Sequence, residues 1–131
     1  MPLFHPDILA ATEARSLIGI KAGHVRPDFL DIWMVVAEGR LFARSWGLKA
    51  RSWYHTFLED PRGAIRIGEA VYAVSAYPIA ADDTIQAAIS VAYLRKYDHG
   101  ESSVYAQGII QPQHVAQTME LQALDNPPPK S

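Results

Sequence analysis

Residues 42–53 read FARSWGLKARSW, which sets Arg44, Lys49 and Arg51 beside the hydroxyls of Ser45 and Ser52 and the indoles of Trp46 and Trp53. From Gly39 to Leu58 the chain carries four basic residues, Arg40 being the fourth, and no acidic one. These side chains suit an anion. Arginine offers a planar fork to phosphate, lysine a point charge, and hydroxyls and the free N–H groups of a helix start add donors. Indoles supply flat apolar walls for a ring system. A second reading stays open on the same letters: a solvated hairpin edge with two tryptophans in the core, Trp53 by its four-residue spacing to Phe57.

Other chemistry is harder to find. The chain has no cysteine, which removes disulfides, thiolate metal sites and cysteine nucleophiles together. The glycine patterns of a P-loop, a dinucleotide-binding fold and a nucleophile elbow are missing. His5, His24, His55, His99 and His114 are scattered, read as surface or loop residues, and predict no metal site. The acidic pairs Asp82-Asp83 and Glu59-Asp60 read as helix termini rather than acid–base machinery. Tyr72, Tyr77, Tyr93 and Tyr97 could give protons or line a pocket, with structural roles the commoner use. Catalytic residues are therefore unknown at this level.

The 131 residues, 49% hydrophobic and 20% charged, describe one soluble globular domain over 1–124. The closing DNPPPKS, 125–131, predicts an extended, disordered tail. A net charge of −2 argues against nucleic acid as partner, and no apolar run approaches the ~20 residues of a membrane span. The start, MPLFHPDILAATEAR, lacks a basic segment followed by an apolar one, so the expectation is a cytoplasmic protein without a leader.

The elements that must position the basic stretch follow from periodicity. PDILAATEARS predicts a short helix and SLIGIKAG a strand. In 30–46, two β-rich runs, 30–37 and 41–46, flank a tight turn at Glu38-Gly39. Leu30, Ile32, Met34 and Val36 share one face of the first run. In the second, Leu41, Ala43 and Ser45 oppose Phe42, Arg44 and Trp46. RSWYHTFLED predicts a short helix capped by Ser52 and ended by Asp60-Pro61. AIRIG and AVYAVSAYPI form a hairpin about Gly68. A longer helix spans about 83–97, with Asp83 and Gln86 spaced as a capping box. VAQTMELQAL predicts a closing strand. The sum is an α+β protein: a six-stranded antiparallel split β-barrel with two or three flanking helices.

The order strand–turn–strand–basic loop–helix–strand over Ile32–Ile67, with LFARSWGLKARSWYHTFLEDPRGAIRIG at its centre, resembles the FMN-binding split-barrel superfamily. Pyridoxamine-phosphate-oxidase-like proteins and deazaflavin-dependent nitroreductases belong to it, and the late helix and closing strand fit an uncharacterised branch. The resemblance covers roughly 16–124. EDP stands where those families often show Asn-Pro, a tryptophan follows Ser45, and the loop is short. It implies FMN or a deazaflavin as cofactor, with Arg44 and Ser45 at the ligand phosphate, Lys49 and Arg51 assisting, and Trp53 lining the pocket. Trp46 would stack on the ring or fill its space, and Ser52 completes the set. It also implies a homodimer, a flavin-type small molecule as ligand and an oxidoreductase of unknown substrate. The alternatives are a cofactor-free split barrel serving as an interaction module, and a haem-binding barrel using His55.

Overall fold

The computed structural model describes residues 3–23, 28–47 and 52–124. Its elements in chain order are α1 (Pro6–Glu13), β1 (Ile18–Ala22), β2 (Leu30–Ile32), β3 (Val35–Ala37), β4 (Arg40–Arg44), α2 (Trp53–Glu59), β5 (Arg62–Ile67) and β6 (Ala70–Ile79). Then follow α3 (Ile85–Tyr97), a 3-10 turn (Gly100–Ser102), α4 (Ser103–Ile109), α5 (Pro112–Val115) and β7 (Thr118–Ala123). The α+β expectation holds. The seven strands form one curled antiparallel half-barrel in the order β2-β1-β5-β6-β7-β4-β3.

The seventh strand arises because the run 30–37 divides. Leu30–Ile32 pair with β1, whereas Val35–Ala37 pair with β4, so the two edges of the sheet are consecutive in sequence. The chain crosses from edge to edge at Trp33 and Met34. There the backbone leaves the ladder, and its polar groups must find other partners. The N–H of Met34 donates to the Tyr97 hydroxyl at 3.2 Å, and its carbonyl accepts from Lys96 Nζ at 2.7 Å. Tyr97 donates in turn to the Ser16 carbonyl at 2.7 Å. Burial pushes the Tyr97 phenol well above its ordinary pKa, so it stays protonated to make that bond.

Alternation sorts the side chains into two cores. Met34, Leu41 and Ala43 face inward with Ile18, Ile20, Ile65, Met119 and Leu121, and Trp53 and Phe57 of α2 pack on them. Val35, Ala37 and Phe42 face outward against Ile85, Ile89 and Tyr93 of α3 and Ala106 and Ile109 of α4. At the β3–β4 hairpin Glu38 and Gly39 have φ of +54° and +75°, the left-handed pair a type I′ turn requires.

Two expectations need correction. Among the described residues there are five α-helices, because 98–115 adds two short ones. The capping box at Asp83 is not formed. The Asp83 carboxylate accepts from the Ile85 N–H at 2.9 Å, but the Gln86 side chain turns into the protein, where its amide donates to the Ala80 carbonyl at 3.0 Å. The tail 125–131 lies outside the described residues.

Candidate functional site

A cavity of about 560 Å³ opens where the sheet is split, between the Trp33 crossing, the end of β4, the start of α2 and α4. Its walls include Trp33, Trp46 and Trp53, so all three tryptophans of the chain meet there, together with Tyr105. Arg44, Ser45, Trp46, Ser52 and Trp53 of the basic stretch line it. Lys49 and Arg51 lie outside the described residues.

Arg44 ends β4 on the outward face and is only 3% exposed. Its five guanidinium N–H groups are all engaged. Nε donates to Thr118 Oγ1 (3.1 Å), Nη1 to Ser90 Oγ (2.9 Å) and the Ile109 carbonyl (3.3 Å), and Nη2 to Gln86 Oε1 (2.8 Å) and the Gln86 carbonyl (3.2 Å). Every acceptor is neutral. Burial lowers the pKa of this guanidinium, with a partial counter-effect from Tyr93. The Tyr93 hydroxyl accepts from the Arg44 backbone N–H at 2.8 Å, and burial pushes that phenol up to about 12. Arg44 thus ties four elements together and offers the cavity a charge rather than a free donor.

Ser45 and Ser52 are also committed. Ser45 donates to the Gly47 carbonyl at 2.6 Å, and Ser52 accepts from the His55 N–H as the N-cap of α2 and bonds His55 Nδ1 at 2.9 Å. Trp53 is 6% exposed and packs edge-on against Phe57, so it serves the inner core and the cavity wall at once.

Trp46 is 48% exposed yet held in place. Its ring stacks on His114 with centroids 4.6 Å apart and planes 8° from parallel, and Tyr105 meets it edge-on at 5.6 Å. A Cβ on Gly108 would fall 2.7 Å from the Trp46 ring, so α4 needs glycine where the indole crosses it. Trp46 lines the cavity and does not fill it.

His114, expected at the surface, is 5% exposed under Trp46. Its Nδ1 lies 3.0 Å from the Ser45 carbonyl, which can only accept, so Nδ1 carries a proton. No group of three or more metal-ligating side chains occurs among the described residues. His55 is occupied with Ser52. Tyr93 and Tyr97 are structural, as their burial and bonds show. Sequence reading missed Trp33 and Tyr105, which line the cavity, and His114, which backs the Trp46 ring. They come from distant elements, and the four-residue α5 carries no period long enough to report its inward histidine.

The fold and cavity define an α+β half-barrel protein with an aromatic-walled site. The chain belongs to the family described as an uncharacterized protein conserved in bacteria (DUF2255), whose pattern matches residues 10–121. No curated protein matches it. A crystal structure of the conserved hypothetical protein Rv2991 from Mycobacterium tuberculosis is similar in fold. Its TM-score is 0.55 at 11% identity, covering 95% of this chain and 82% of that one. No helix among the described residues is long and apolar enough to cross a membrane.

Proposed function

We propose that this chain is a flavin- or deazaflavin-nucleotide-binding protein of oxidoreductase type, related to the FMN-binding split barrels. The observation that carries the reading is the convergence of all three tryptophans and a buried arginine on one cavity of about 560 Å³. That volume lies within the ~300–1,000 Å³ of ordinary cofactor and small-molecule sites. The residues fit such a group: indoles can flank a tricyclic ring, and a fixed positive charge stands at the wall. Lys49 and Arg51, cations by sequence, are assigned to the phosphate.

A bound flavin would supply the redox step. The chain's residues would bind and orient the ring, shield it from water and set the local field. On this reading no acid–base pair is required among the described cavity residues. The reading includes a homodimer in the cytoplasm. Half-exposed Leu17, Leu30, Trp46 and Tyr105 at the cavity support a covering partner copy. The same rim favours the second reading, a cofactor-free module that binds another protein there.

Thermal unfolding with FMN, a deazaflavin phosphate and riboflavin tests the choice. At a hundredfold excess over Kd, a phosphorylated cofactor stabilises by about 2.7 kcal/mol, and riboflavin by less. No shift with any of the three would remove the cofactor reading and leave the interaction module.

A further inference from the structure

The described walls of the cavity combine one buried cation with three indoles. Among the described residues that line it, Arg44 is the one cation and Asp31 the one carboxylate. Asp31 is more than half exposed and lies 4.0 Å from Arg66, so its charge is turned to solvent and shared. Arg44 has only neutral partners, and no carboxylate contributes to its electrostatic surroundings. The indole N–H groups of Trp33, Trp46 and Trp53 make no hydrogen bond among the described residues. Those of Trp33 and Trp53 are not sealed, unpaired buried atoms, and Trp46 is itself half exposed.

A buried guanidinium with no counter-charge is costly to desolvate further. A neutral apolar ligand would desolvate it and offer no compensating charge. A cationic ligand would meet like charge inside the aromatic walls. A flat anion relieves both costs, since its charge opposes Arg44 while its ring packs on the aromatic walls. Arg44 acts here through its field, because its five donors are already taken.

We propose that the cavity selects a flat conjugated ring bearing a delocalised negative charge, of the aromatic carboxylate or enolate class, with its charged edge toward Arg44. The inference rests on the reading that this cavity is the ligand site, but not on that ligand being a flavin.

The test uses 2-naphthoate and 2-naphthamide, which share a ring and a size and differ in charge. In ¹⁵N-labelled protein the three indole N–H groups give three separate cross-peaks that report on the cavity directly. Naphthoate is expected to move these peaks and to bind at least about tenfold tighter than naphthamide at neutral pH. Naphthamide binding equally or more tightly, or indole peaks that stay still with both, would overturn the proposal. Discrimination by charge without any response to FMN or a deazaflavin phosphate keeps this inference and removes the cofactor reading. FMN binding without discrimination does the reverse.

Discussion

Arg44 stands at the last position of a strand whose odd and even side chains serve different cores, and that placement decides what it can do. Its guanidinium bonds β7 through Thr118, α3 through Gln86 and Ser90, and α4 through Ile109. A substitution such as Arg44→Met is expected to lower stability by about 3 kcal/mol or more, since it strands several buried acceptors at once. Urea unfolding would measure this, and a loss below about 1 kcal/mol would contradict the keystone role. At this scale the sequence was informative where it was local. Arg44, Ser45, Trp46, Ser52 and Trp53 do share a cavity, because a strand end and the following helix start converge there. Trp33, Tyr105 and His114 were illegible, since their contacts depend on how distant elements pack.

Among the elements, strands were read more fully than helices. A period of two survives in short runs, as in β1, β5 and β7, while β4 and β6 are legible from their β-rich composition and the turn residues beside them. The run 30–37 kept one alternation through its bend, so nothing in its pattern marks the crossing at Trp33–Met34. The helices of seven and four residues within 103–115 are too short for a 3.6 period to register. Gln86 sits at a capping spacing, but burial of its amide against Arg44 overrides that local preference. The β3–β4 turn carries its own prediction. Glu38 occupies a left-handed conformation that suits asparagine better than glutamate. Glu38→Asn is therefore expected to raise stability by about 0.5–1 kcal/mol in the same urea experiment. A loss of stability would mean that the Glu38 carboxylate does more at the turn than its backbone conformation costs.

At the scale of the whole molecule, the cavity follows from an incomplete closure. Edge strands that are consecutive in the chain bring the sheet nearly round on itself, and the gap beside their crossing is the cavity. Helices α3, α4 and α5 brace one side of that gap: α3 satisfies the backbone at Met34, α4 makes room for the Trp46 ring at Gly108, and α5 supports it with His114. The most direct test of this account is a titration of the protein with FMN followed by intrinsic tryptophan fluorescence. Because every tryptophan borders the same cavity, saturation is predicted to quench most of the emission. Emission left unchanged by millimolar FMN and by a deazaflavin phosphate alike would contradict it.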